Sequence, residues 1–180
     1  MTDTGSTDPA HTHPAHTGSA HTDLGSFAME PLRIERLFRA PIEAVFDAWT
    51  SVDVLRRWWP AGRDWEVVDA VAEARVGGRI RLRVQSPNGD SHGGEGRYKH
   101  VHRPDKLVFT WQWDDSAGRP GQLVDITFTA NDDETTTVVL INTGITDADR
   151  AEHGRGWSLS LDHLESLLRQ GSVPAERWRD

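Results

Sequence analysis

No cysteine occurs in the 180 residues. That excludes a disulfide frame, a thiolate zinc site and a cysteine nucleophile. No apolar run approaches the roughly 18 residues needed to cross a bilayer. The first residues lack a basic segment followed by an apolar stretch, so neither a membrane contact nor a signal peptide is expected and the cytoplasm is the default location. Lysine is scarce: arginine outnumbers it 18 to 2, a bias that, with abundant Ala, Gly and Asp, reads as codon usage in a GC-rich genome. The formal net charge of -8 argues against a general nucleic-acid binder, because phosphate contact needs a basic face. Catalytic signatures are missing too: there is no Gly-x-Ser-x-Gly, no Gly-x-x-x-x-Gly-Lys-Ser/Thr and no His-Glu-x-x-His. Tyrosine is present once and tryptophan eight times. Tryptophan brings large apolar area and one donor, suited equally to cores and to ligand cavities.

The chain divides into a polar tail over residues 1–27, a single domain over 28–171 and a short tail over 172–180. The first segment is Thr, Ser, Gly, Pro, Ala, Asp and His, too polar to offset its ordering entropy. Its His11, His13, His16 and His21 have no fixed geometry, and neither a metal nor a cofactor is expected. A domain of about 150 residues buries roughly 68–70% of its unfolded surface, enough for its own core.

The most informative stretch is the last helix. Trp157, Leu161, Leu164 and Leu168 recur at helical spacing and predict an apolar stripe over Asp147 to Gln170. Thr146 caps its start, Asp147 and Asp149 sit in the positive first turn, and Gly171 follows its end. Gly154 and Gly156 each cost about 1 kcal/mol in a helix interior, which suggests a packing compromise, a close backbone approach, a bend, or room for a ligand.

Upstream, Leu32 to Arg39 reads as a strand. Pro41 opens a helix carrying Ile42, Val45, Phe46 and Trp49, and Ser51 or Asp53 caps a second short helix that ends at Pro60. Strands follow at Trp65 to Ala70, Arg79 to Gln85, Gly93 to His102, Leu107 to Trp113, Leu123 to Ala130 and Thr135 to Thr143. Arg79, Arg81 and Arg83 alternate with Ile80, Leu82 and Val84 and are expected on the outer face. A simple four-residue loop at Arg103 to Lys106 pairs His102 with Leu107, His100 with Phe109 and Tyr98 with Trp111. Tyr98, His100 and His102 then share an aromatic face. A simple closure of the last hairpin pairs Ile126 with Val139 and Val124 with Ile141.

The fold class is therefore α+β: a curved antiparallel sheet of about six to seven strands around a long C-terminal helix, with two short helices after the first strand. A helix is about 10–12 Å wide and such a sheet is near 30 Å. The sheet must curl to hide its apolar face, and the space left inside is the default ligand site.

Arg39-Ala40-Pro41, Val45 to Thr50, Leu55 to Pro60, Val76-Gly77-Gly78, Val101 to Trp111 and Gly156-Trp157 with the leucine stripe together resemble one family. It is the family named for activators of the heat-shock-protein-90 ATPase, within the helix-grip START and birch-pollen-allergen superfamily. The resemblance spans residues 32 to 169. It implies a small hydrophobic or aromatic ligand held between sheet and helix by Trp58, Trp59, Trp65, Tyr98, His100, Phe109, Trp111, Trp113, Trp157, Leu161 and Leu164. Relatives in the superfamily bind lipids, hormones or polyketides. A few similar actinobacterial proteins give antibiotic resistance by binding an enediyne and being cleaved in its place at a glycine, for which Gly118 and Gly121 stand in a comparable loop. The alternatives are a polyketide cyclase-like or hydrolytic enzyme using Tyr98, His100 or Glu95, and a co-chaperone-type interaction module. A non-enzymatic binder, monomeric or weakly dimeric, is the favoured expectation.

Overall fold

The computed structural model describes residues 30–60, 64–115 and 121–171. The two expected tails, the tail histidines and Gly118 lie outside them. The elements follow the expected order: β1 (Leu32–Phe38), α1 (Ile42–Thr50), α2 (Val52–Trp58), β2 (Glu66–Ala72), β3 (Arg79–Gln85), β4 (Ser91–His102), β5 (Lys106–Trp113), β6 (Gln122–Ala130), β7 (Thr136–Thr143) and α3 (Asp147–Arg169).

The strands form one seven-stranded sheet in the order β1-β7-β6-β5-β4-β3-β2. Consecutive hairpins build β2 to β7, all antiparallel, and β1 returns to pair with β7. The chain leaves one sheet edge at β1, runs through α1 and α2, and re-enters at the opposite edge, β2. Pro41 is the cap before α1 rather than its first residue, since its fixed φ suits either position.

Alternation sets the core. Ile80, Leu82 and Val84 are buried, whereas Arg79, Arg81 and Arg83 face outward to Glu73, Asp69 and Asp114 respectively. Helix α3 is about 35 Å long at 1.5 Å per residue. Thr146 Oγ1 caps it by accepting from the Asp149 backbone N–H. Its Leu161, Leu164 and Leu168 bury against the inner sheet residues Phe109, Ile126, Phe128 and Leu140 in one cluster. Each buried leucine contributes roughly 1.5–3 kcal/mol.

Two long-range ties hold the front helices. The carboxylate of Asp47 in α1 is buried and accepts both Nε (3.1 Å) and Nη2 (3.0 Å) of Arg103, from the β4–β5 turn. That hydrogen bond holds the Arg103 guanidinium above its ordinary pKa. Trp58 Nε1 donates to the Ala48 carbonyl at 2.9 Å, fixing α2 on α1.

Both hairpin registers differ from the simple closures. The β4–β5 turn uses three residues, pairing His102 with Lys106, and a bulge falls between Tyr98 and His100. Tyr98 therefore points inward opposite Phe109, while His100 and His102 turn to the outer face and stack there at 6.5 Å. The β6–β7 loop takes five residues, because Glu134 adopts a positive φ of 58° and Asn131 N–H reaches the Thr135 carbonyl. Ile126 consequently faces Leu140, and Val124 faces Asn142. This register puts Asn142, rather than Ile141, in the interior.

Candidate functional site

The interior between the sheet and α3 is built from rings. Trp49 of α1 lies 4.7 Å from Trp58, 6.4 Å from Trp59, 5.9 Å from Trp157 and 6.4 Å from Phe128. Trp59 meets Trp157 at 5.4 Å and Trp111 at 5.6 Å. Trp111 continues to Phe109 at 6.4 Å and to Trp113 at 5.5 Å, and Phe109 to Tyr98 at 5.9 Å. Most pairs are edge-on or tilted, the geometries aromatic rings prefer. Trp111 and Trp157 thus lie on the same side of the sheet, bridged by Trp59.

The adjacent tryptophans of α2 divide their roles by position. Trp58 ends the helix fully buried. Trp59 follows as its C-cap and is only half-buried, so its ring forms part of the wall.

The floor is shaped by glycine. Gly94 on the inner face of β4 sits where a Cβ would come within 2.7 Å of the Trp111 ring. The missing side chain leaves that indole room against the strand. Opposite, the Gly154 position meets only the Leu32 side chain at 3.7 Å, and at Gly156 nothing described lies within 4 Å. Neither helix glycine marks a close backbone approach, contrary to one expectation. Gly156 stands one turn before Ser160, whose Oγ donates to the Trp59 carbonyl at 2.8 Å, so it flanks the sheet-facing stripe on the α2 side. A side chain at 156 would therefore project without meeting a described atom, on the half-buried flank of the helix.

One end of the site is polar. His153 Nε2 accepts from Trp113 Nε1 at 3.2 Å and lies 2.9 Å from the Gln122 amide nitrogen, while Nδ1 lies 3.0 Å from the Asp149 carbonyl. This set fits a neutral ring with its proton on Nδ1. Gln122 Oε1 in turn accepts from Asn142 Nδ2 at 3.1 Å. The sequence reading missed His153, Gln122 and Asn142. His153 could have been found, because it precedes Trp157 by four residues on the predicted stripe.

The expected ligand residues are placed as follows. Trp58, Tyr98, Phe109, Trp111, Leu161 and Leu164 are buried in the interior; Trp59, Trp113 and Trp157 are half-buried at its margin. Trp65 stands at the far side, edge-on to His92 at 4.7 Å, which in turn meets Trp113 at 6.0 Å. His100 leaves the set, since the bulge turns it to solvent. The same bulge brings Glu95 and His100 to a common face, but it is the outer one, opposite Tyr98. Gly121 is exposed just before β6, with its carbonyl packed under Gly144. A separate open groove of ≈ 560 Å³ runs between β1 and α3 beside Leu32, Ile34, Gly154 and Leu159, on the flank of the helix away from Gly156. Among the described residues no group of three or more metal-ligating side chains converges, and no helix is long and apolar enough to cross a membrane.

A curved antiparallel sheet gripping one long C-terminal helix defines the helix-grip class, whose members commonly hold hydrophobic ligands. Residues 39–169 match the family model of activator of Hsp90 ATPase homolog 1-like proteins, and the chain belongs to that family. No functionally curated protein matches the sequence. Among solved structures, a Chromobacterium violaceum protein is 27% identical with a TM-score of 0.70, covering 77% of this chain and 96% of its own. The AHSA1 protein of Silicibacter pomeroyi is 26% identical with a TM-score of 0.67, covering 78% and 99%. A Mycobacterium smegmatis protein, 21% identical with a TM-score of 0.64 over 77% and 90%, shares the fold.

Proposed function

We propose that this chain binds a small hydrophobic or aromatic molecule in the space between the sheet and α3, against Trp59, Trp111, Trp113 and Trp157. The observation that supports this most is the run of tryptophan rings with Trp59 and Trp157 half-buried at its margin, next to a helix glycine, Gly156, whose absent Cβ would meet no described atom. A helix that only packed would gain about 1 kcal/mol from alanine there. No observation favours turnover: Glu95 and His100 share a face that Tyr98 does not.

The reading extends to sequestration of a natural product as self-resistance. In a sacrificial version the cut would fall at the exposed Gly121, which intact-mass analysis after exposure to a thiol-activated enediyne would reveal. For binding itself, the test titrates planar aromatic probes such as 1-anilinonaphthalene-8-sulfonate and reads tryptophan quenching and melting temperature. A ligand should quench and stabilise, and Gly156→Trp should abolish both effects while the fold is kept. Unchanged binding to that variant would place the ligand elsewhere.

A further inference from the structure

The flank of α3 away from Gly156 lies beside the edge strand β1, and two polar ties join them. At one end Arg150 Nη1 donates to the Glu30 carbonyl, and at the other Arg36 Nη1 meets Asp162 Oδ1 at 3.0 Å. Between these ties runs the open groove of ≈ 560 Å³. Its α3 wall presents Ala151, Gly154 and Ser158, small residues at spacings of three and four that share one helix face. Leu32 and Ile34 form the β1 wall, and Leu159 extends the apolar surface towards Asp162. Leu32 and Ile34 are only half-buried, and Leu159 is 47% exposed. Glycine is a poor helix former, yet a Cβ at Gly154 would meet only the Leu32 side chain at 3.7 Å, so no described neighbour requires a glycine there. Arg155 stands on the rim and makes no ion pair among the described residues.

The described chain begins at Glu30, the residue that Arg150 holds at the mouth of this groove. Residues 1–29 carry three aspartates and no lysine or arginine. Apart from Met1, their large apolar residues are Leu24, Phe27 and Met29, all within the last six. An extended chain covers about 3.3 Å per residue. Phe27, three residues before Glu30, therefore reaches about 10 Å, and Leu24 about 20 Å. From Ala151 to Leu159 the helix rises about 12 Å, so these side chains reach every part of the groove.

We infer that residues 23–29 turn back from Glu30 and cover the groove, with Phe27 and Leu24 on Leu32, Ile34 and Leu159, and Asp23 against Arg155. The small residues of α3 give the segment's backbone a place to cross. The anchor at Glu30 makes the docking intramolecular, so few residues must be ordered to bury these side chains. The inference does not depend on an interior ligand.

The test measures {1H}-15N NOEs and the melting temperature on the full chain as wild type, Phe27→Ser, Leu159→Ser and the double variant. Leu159 is outside the buried core, so the fold survives its change. In wild type the amides of residues 24–29 should give NOEs close to those of β1, well above those of residues 2–20. Each single change should drop the 24–29 values to the level of residues 2–20 and lower the melting temperature by about 2–4 °C. The double variant should lose no more than the larger single loss, because both changes break one contact. Uniformly low NOEs over residues 2–29 in wild type would overturn the inference. So would high values over 24–29 that persist in Leu159→Ser, which would seat the segment elsewhere. Sedimentation velocity separates the remaining occupant: a dimer that Leu159→Ser dissociates, with residues 24–29 still giving low NOEs, would assign the groove to a second copy and overturn the docking of this segment.

Discussion

Replacing Gly156 with alanine should stabilise the protein. Glycine in a helix interior is about 1 kcal/mol less favourable than alanine, chiefly through the freedom it loses on folding. A new methyl at 156 meets nothing described within 4 Å, so no steric cost offsets the gain. At Gly154 the methyl lands 3.7 Å from Leu32 Cδ1, ordinary contact, and the same gain applies. For a domain near 150 residues, 1 kcal/mol corresponds to a rise of about 2–4 °C in Tm. The two changes stand on different flanks of the helix and should be close to additive. Gly96→Ala is the control: its Cβ would fall 1.6 Å from the Thr110 carbonyl oxygen, so the strand pair must separate and the domain should lose several kcal/mol. Urea unfolding followed by tryptophan fluorescence measures all three. A fall in stability for Gly156→Ala would refute the unobstructed Cβ position at that point of α3.

Other substitutions test the frame. Arg103→Met strips two charge-assisted hydrogen bonds from the buried Asp47 carboxylate and should cost about 2–4 kcal/mol. Asp47→Asn in addition should recover part of that loss, and strict additivity in the double-mutant cycle would deny the coupling. Trp58→Phe loses the bond to Ala48 and leaves a gap, so about 2–3 kcal/mol should disappear from the urea-extrapolated stability; a loss under 0.5 kcal/mol would mean the indole is not pinned. Leu164→Ala empties a fully buried site on α3 and should lower stability by about 3–5 kcal/mol, and a near-neutral result would show that the helix does not pack there.

Periodicity made most of the architecture legible. The Trp157-Leu161-Leu164-Leu168 spacing located α3 to within one residue, and the alternation in β3 assigned its faces. Registers were less visible, because a single residue in a turn changes them and nothing in the spacing of hydrophobics announces it. The positive φ at Glu134 lengthened one loop, and the bulge after Tyr98 reversed the facing of two histidines. The aromatic members of the candidate site could be named individually, but their order along the run of rings depends on which strand neighbours which. Its polar end joins a helix to two strands 11 to 31 residues away, and apart from the stripe position of His153 it has no local signature.

Among the described residues the sheet does not close on itself, and no other strand claims the outer row of backbone groups on β1 or on β2. On β2 the irregularity at Val68 breaks the straight run between Val67 and Asp69, and on β1 Arg33 and Glu35 pair across the exposed side. Both are devices that deny a foreign strand a flat, uncharged template. Straightening β2 by deleting Val68 would restore such a template, and the molecule would then be exposed to end-on stacking into fibres.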